Sequence, residues 1–479
     1  MVRKVLKILA RAMSCIFMMI GICMIITMRW EKVNIGQPNF EKIIFSITTR
    51  IEGANMYPFY NLIIFNIIAV VVTLVVTIIL FRLRKKIVYR VYGIVSLCLV
   101  VICCIYANAT MDIYSYVKGH FIKTNIYEEN YVDPQSVEIV FPEKKRNLVY
   151  IYIESMEITY ADEKAGGVME RNFIPNLTAL ATEGENFSCD GELNGAYEVT
   201  GTGWTAASEV AQTSGVSLKD YKRSDAFLPG VVTLGEILRD NGYILEYICG
   251  SSALFADKRQ YFTEHGEYDI RDYHYMIDNK LIPEDYKVNW GVEDEKVFDY
   301  VKDEILRLEE GDAPFCLQIT TADTHFPDGY KCRLCGDTSD IQYENVIMCS
   351  DKQIYEFVIW LQEQSCYEDT TIVLTGDHLT MDQNYISQKN IPEDYTRRVY
   401  TTIINSSCEY TLRYDREFAV FDLYPTTLAA MGARIEGNRL GLGVNLYSDI
   451  PTLVEKMGLA KLNSELEKKS VYYDEKLKQ

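Results

Sequence analysis

Positive charge is scarce in the larger part of this chain. Residues 121–479 carry 34 of the 48 Lys and Arg residues but 63 of the 67 Asp and Glu residues. Nucleic-acid binding needs clustered Lys and Arg against phosphates, so this composition excludes a nucleic-acid partner for that part. Ligands for a zinc knuckle are short as well. Cys332 and Cys335 form one CRLC pair, with Cys349 further on, but no second pair or partnering histidine stands nearby. The residues there are read as a disulfide or free thiols. Internal repeats and low-complexity linkers are missing, so the chain is not read as a repeat array. Histidine occurs five times. His120, His265 and His274 are read as surface or structural residues, which leaves His325 and His378 for chemistry.

Long apolar runs are present, and all lie near the start. They cover about 12–28, 58–81 and 91–107, each close to the roughly 20 residues that cross a bilayer. Cys15, Cys23, Cys98, Cys103 and Cys104 fall in or beside these runs and act there as small hydrophobes. Arg3, Lys4, Lys7 and Arg11 precede the first run; Arg82, Arg84, Lys85, Lys86 and Arg90 separate the second from the third. Both basic clusters are expected on the cytoplasmic side. Residues 1–110 are therefore read as a three-span membrane anchor with an outer loop at 29–57, and everything after it as extracytoplasmic. In that oxidising space a disulfide among Cys332, Cys335 and Cys349 is one option beside free thiols, and the sequence leaves the choice open. Residues 111–146 form a juxtamembrane connector, and 451–479 a helical, peripheral tail.

Between them, 147–450 alternates strands with helices. NLVYIYIES reads as a buried strand ending in polar residues, and TLGEILRDNGYILEYICG as a helix, a stop and a strand. EDEKVFDYVKDEILRLEE and CSDKQIYEFVIWLQEQ read as helices; APFCLQITTADTH and TTIVLTGDH read as strands running into polar residues. This is an α/β pattern: a mainly parallel sheet covered by helices on both faces. Ligands bind such sheets at the carboxyl ends of the strands. The polar residues there are Glu154, His325, Asp377 and His378.

Glu154, Asp377 and His378 offer two carboxylates and a nitrogen to a divalent cation. Thr205, in GTGWTAASEV, would add a hydroxyl. Mixed oxygen and nitrogen donors suit Mn²⁺ or Mg²⁺, and zinc also fits. A cation there would lower the pKa of the threonine hydroxyl and neutralise phosphate oxygens, making Thr205 a nucleophile. Each residue also has a bland reading. Thr205 could be a helix N-cap, Glu154 could pair with a lysine, and the Asp-His pair could be structural.

Taken together, these motifs resemble the sulfatase-like branch of the alkaline phosphatase superfamily, and within it lipoteichoic acid synthases and membrane phosphoglycerol transferases. The stretches that carry the resemblance are NLVYIYIES, NGAYEVTGTGWTAASEVAQTSGV, TADTHFPDGY, LTGDH and VFDLYPTTLAAMG…GNRLGLGVNLYS. The resemblance implies that Glu154, Thr205, Asp377 and His378 bind a metal, usually Mn²⁺, and that Thr205 is the nucleophile. It implies that His325 binds the phosphoglycerol and serves in proton transfer. Lys258, or its neighbour Arg259, falls where relatives carry a basic residue on the substrate phosphate. Trp290 and Asp294 fit a family pattern without an assigned role. Sulfatases of this fold modify a Cys or Ser in a C/S-x-P-x-R motif; no such motif surrounds Thr205, which sets sulfate-ester hydrolysis aside.

The expected activity is transfer of glycerol phosphate from phosphatidylglycerol to a cell-surface glycan or glycerophosphate polymer, at a bacterial membrane, through a covalent threonine intermediate. Three spans, where related synthases often have five, favour single transfer over polymerisation. The alternatives are a phosphoethanolamine transferase using the same ligands, and a membrane-bound binding or sensor protein with a dead site.

Overall fold

The computed structural model describes residues 2–34, 40–48, 52, 57–82, 85–189, 191–219, 225–408 and 414–479. Arg84 and, within the 29–57 loop, 35–39, 49–51 and 53–56 lie outside the described residues. The chain divides into two units, the first made of Met1–Ile43, Asn55–Val117 and Met381–Asn384.

The first unit contains the helices Val2–Asn34, Tyr57–Arg82 and Lys86–Met111. Within them Val5–Val33, Phe59–Arg82 and Lys86–Met111 are long and apolar enough to cross a membrane. These helices run past the apolar segments at 12–28 and 91–107, because a backbone ladder continues through polar flanks without needing apolar side chains. Small and polar residues hold the helices together, as expected where lipid offers no hydrophobic drive between them. At Gly21 a Cβ would lie 2.7 Å from the Leu99 side chain. The Thr77 and Tyr92 hydroxyls share a hydrogen bond of 2.5 Å.

The second unit is built on a seven-stranded sheet. Its strands are β1 (Asn147–Ile153), β2 (Gly195–Ala196), β3 (Ile244–Cys249), β4 (Asp269–Arg271), β5 (Phe315–Thr320), β6 (Thr370–Gly376) and β7 (Val399–Ile404). Their order is β2-β7-β6-β1-β5-β3-β4. The five strands from β6 to β4 are parallel. β7 runs antiparallel to β6, and β2 antiparallel to β7. Strands buried on both faces read as continuous apolar runs, which is why NLVYIYI does not alternate; 148–153 are all inaccessible to solvent.

The tail is not peripheral. Lys469 and Ser470 pair in parallel with Lys123 and Thr124 of the connector. Leu453, Leu462, Leu466, Tyr473 and Leu477 are buried, since the helical spacing of these residues gives the segment an apolar face to cover. The connector is also tied in at Ile139–Val140, which pairs with Arg434–Ile435.

Candidate metal and nucleophile site

The parallel ladder is in register at its carboxyl end. Ile153 of β1 pairs with Gly376 of β6, and Tyr152 with Thr320 of β5. Glu154 and Asp377 therefore leave the sheet side by side. Gly376 allows the chains to approach, since a Cβ there would collide with the Met156 carbonyl. Ser155 turns with φ 54°, a left-handed conformation uncommon for a residue with a Cβ. Its amide donates to Asp377 Oδ1 at 2.7 Å and its hydroxyl to Glu154 Oε1 at 2.6 Å. The His378 amide donates to the same Asp377 oxygen at 2.8 Å.

Glu154, Asp377 and His378 are all buried, with their ligand atoms within 4.8 Å of one another. His378 Nε2 lies 3.5 Å from Glu154 Oε1 and 3.4 Å from Asp377 Oδ2. Its Nδ1 lies 2.9 Å from the Leu379 carbonyl oxygen. A carbonyl only accepts, so Nδ1 carries a hydrogen and Nε2 is the ring nitrogen that faces the two carboxylates. Two buried carboxylates facing one point repel each other unless a proton or a cation lies between them. A histidine whose other nitrogen donates to a backbone carbonyl is also the usual arrangement of a metal ligand. Asp377 Oδ2 accepts no hydrogen bond among the described residues. Burial, and then Asp377, push the Glu154 carboxyl up to about 8. The donor set fits a divalent cation.

Thr205 opens the helix Thr205–Ser214, and the cap position before it is Trp204, with φ −154° and ψ 155°. The threonine hydroxyl is thus free of the N-cap role and donates instead to Glu154 Oε2 at 3.3 Å. Gly201 in the preceding turn has φ 77°, and a Cβ on it would lie 2.9 Å from the Leu218 carbonyl oxygen. That turn delivers Thr205 to the Glu154 carboxylate at a helix N-terminus, where the backbone dipole favours negative charge such as phosphate.

Lys258 and Arg259 part company. Lys258 opens the helix Lys258–Glu264 and is buried. Burial alone would push its ammonium down, but Glu209, with Cys249, Glu154 and Asp377, holds it above the ordinary lysine range. Arg259 turns away and pairs with buried Asp272 at 3.0 Å. Asp272 also accepts from the Ala253 amide at 2.9 Å. Of the two, Lys258 is the one whose charge is felt by Glu154 and Asp377.

Glu209 was not singled out by the sequence reading. It lies one helical turn after Thr205, buried, and accepts from Thr320 at 2.6 Å and Tyr247 at 2.8 Å. The available signal was a lone carboxylate in the small-residue run TAASEVAQT, which must find a partner if the helix is buried.

His325 follows β5. Asp294 accepts from the Ala322 and Asp323 amides at 2.7 and 3.1 Å, which fixes the turn that leads to it. This gives Asp294 a positioning role. Trp290 packs on the His325 ring, with centroids 4.5 Å apart. His325 Nδ1 lies 2.7 Å from the Phe326 carbonyl oxygen, so Nε2 holds the lone pair. Burial, offset in part by that carbonyl, pushes the imidazole down to about 4. His325 is thus neutral at pH 7 and placed to accept a hydrogen bond.

The Sulfatase family model matches residues 146–433. Phosphoglycerol transferase I of Xanthomonas axonopodis pv. citri (strain 306) is 34% identical over 251 residues, 50% of this chain and 34% of that protein. Phosphoglycerol transferase I of Salmonella choleraesuis (strain SC-B67) is 30% identical over 319 residues, 64% of this chain and 40% of that protein. This chain therefore spans less than half the length of these relatives. Among solved structures, the integral membrane lipooligosaccharide phosphoethanolamine transferase A of Neisseria meningitidis aligns with a TM-score of 0.55 at 16% identity, covering 88% of this chain and 84% of that one. An alkaline phosphatase superfamily protein of Vibrio parahaemolyticus aligns with a TM-score of 0.50 at 20% identity, covering 72% and 81%. These two share the fold.

Proposed function

This chain belongs to the sulfatase family, and from that premise we propose that it is a membrane-anchored phosphoglycerol transferase. It would take glycerol phosphate from phosphatidylglycerol and pass it to a hydroxyl of a cell-surface glycan or glycerophosphate polymer. The carrying observation is the Thr205 hydroxyl donating to Glu154 at 3.3 Å, within a cluster whose other ligands are Asp377 and His378. The 34% identity to phosphoglycerol transferase I supports the glycerol phosphate group. The three apolar helices support a multi-pass anchor that keeps the site near its lipid donor. The basic flanks support a catalytic unit on the extracytoplasmic side of a bacterial membrane.

Glu154, Thr205, Asp377 and His378 would hold the cation, Mn²⁺ by the oxygen-rich donor set, with Mg²⁺ or Zn²⁺ also accommodated. When bound it neutralises phosphate oxygens and lowers the pKa of the hydroxyl. Thr205 Oγ1 then forms a bond to phosphorus. The bond from phosphorus to the diacylglycerol oxygen breaks, and the threonine proton ends on diacylglycerol. In the second half an acceptor hydroxyl bonds to phosphorus, the bond to Thr205 breaks, and a proton returns to Oγ1. Two displacements at one residue give ping-pong kinetics. Lys258 offsets the phosphate charge. His325, neutral with its Nε2 lone pair available, accepts from the glycerol or the incoming hydroxyl, a role its geometry suits better than proton donation.

Diacylglycerol release by the full-length protein in detergent tests this reading. Phosphatidylglycerol should be consumed; turnover of phosphatidylethanolamine alone would assign the other head group. Chelation should reduce release to background and Mn²⁺ should restore it, whereas full activity after exhaustive chelation would contradict the metal assignment. Lys258→Met should raise the donor KM about tenfold, the worth of one charge-assisted contact. Arg259→Met should act on thermal stability instead, because it leaves buried Asp272 without its cation. Equal KM effects in the two variants would undo the distinction.

A further inference from the structure

Apart from that site, Cys332, Cys335 and Cys349 bring three sulfurs to one point. Cys332 and Cys335 lie in the loop after β5, and Cys349 on the helix Gln342–Gln362. Cys332 Sγ is 3.6 Å from Cys335 Sγ and 3.7 Å from Cys349 Sγ. All three sulfurs fall within 4.8 Å of one another. A tetrahedral zinc centre with Zn–S bonds of about 2.3 Å has sulfur–sulfur edges of about 3.8 Å. A disulfide would join two of the sulfurs and strand the third.

A side-chain amide also faces the sulfurs. Gln353 Nε2 lies 3.3 Å from Cys349 Sγ and 4.0 Å from Cys332 Sγ. Burial pushes the Cys332 thiol up to about 11, a rise that the Leu334 backbone bond offsets only in part, so its proton leaves when a metal takes its place. N–H groups aimed at sulfur stabilise the thiolate, the form in which cysteine binds metal. The Cys335 amide donates to the Cys332 carbonyl at 3.2 Å, closing a tight turn that brings both sulfurs to one side. The sequence places Cys349 near the pair but not how close the three sulfurs come, because they meet only in the folded chain.

We propose that Cys332, Cys335 and Cys349 bind one zinc ion as three thiolates. The three thiol protons are released, and the loop carrying His325 is clamped to the helix Gln342–Gln362. The fourth position is left to water. Sulfur donors select a softer ion than the oxygen-rich centre at Glu154, so the two sites are chemically distinct.

The test is alkylation mapping of the full-length protein, purified in detergent and incubated with zinc or with chelator. Zinc should slow iodoacetamide labelling of Cys332, Cys335 and Cys349 at least about tenfold, while Cys366 and Cys408 label equally in both conditions. Cadmium should give a thiolate-to-metal absorption saturating at one equivalent in the native chain and in Thr205→Ala alike, and that absorption should be lost in Cys349→Ser. A disulfide between any two of the three in the native chain, or labelling unaffected by zinc, would overturn the proposal. Both readouts come from the native chain, so they decide even if Cys349→Ser does not fold, and neither depends on transferase activity.

Discussion

Thr205→Ala will abolish diacylglycerol release while leaving the protein folded. Thr205 is half-buried at the first position of its helix, and its hydroxyl makes one long hydrogen bond, to Glu154. Losing it costs about 1 kcal/mol of stability at most. The helix keeps its cap geometry, because the cap position belongs to Trp204. Chemistry is a different matter, since no phosphorus–oxygen bond to the enzyme can form without Oγ1. A fall of about 10³-fold or more in kcat is expected, as for loss of a covalent nucleophile. Thr205→Ser should retain measurable turnover. Initial rates and a thermal melt on the same preparations check both halves; activity of Thr205→Ala within tenfold of the native protein would remove the nucleophile assignment.

Asp377 allows charge to be separated from structure. Its Oδ1 accepts from the Ser155 and His378 amides, while Oδ2 lies 3.4 Å from His378 Nε2 without a hydrogen bond among the described residues. Asp377→Asn keeps an acceptor for the two amides and loses the negative charge. It should fold with a near-native melting temperature, bind Mn²⁺ at least about 100-fold more weakly, and show little turnover. Asp377→Ala should lose the metal and the fold's margin together, because two buried amides lose their acceptor at about 1–3 kcal/mol each. Metal binding by calorimetry, paired with melting curves, distinguishes the two. Native Mn²⁺ affinity in Asp377→Asn would contradict the ligand assignment.

Much of this was legible before any coordinates. Uninterrupted apolar strands ending in acid, histidine or threonine announced a parallel sheet with polar residues at its carboxyl edge, and the ladder register explains why Glu154 and Asp377 meet. Motif spacing pointed to Thr205, but only the fold removed the N-cap alternative, by placing Trp204 in the cap position. The choice between Lys258 and Arg259 could not be read from adjacent positions. It depends on Asp272, which captures one of them, and on Glu209, which holds the charge of the other. The reversed direction of β7 was likewise hidden, because an apolar run does not encode which way it crosses a sheet. The burial of the tail was missed for a related reason: its covering partner, the segment around Lys123–Thr124, lies more than three hundred residues away.

The most direct test of the central claim is the mass of the Thr205 peptide. Full-length protein is incubated with phosphatidylglycerol and Mn²⁺, quenched in acid before an acceptor is added, and digested. The account predicts a glycerophosphate adduct located by fragmentation on Thr205, formed in step with diacylglycerol and discharged when an acceptor hydroxyl is supplied. Diacylglycerol release with Thr205 unmodified at every time point, or an adduct on another residue, would contradict it.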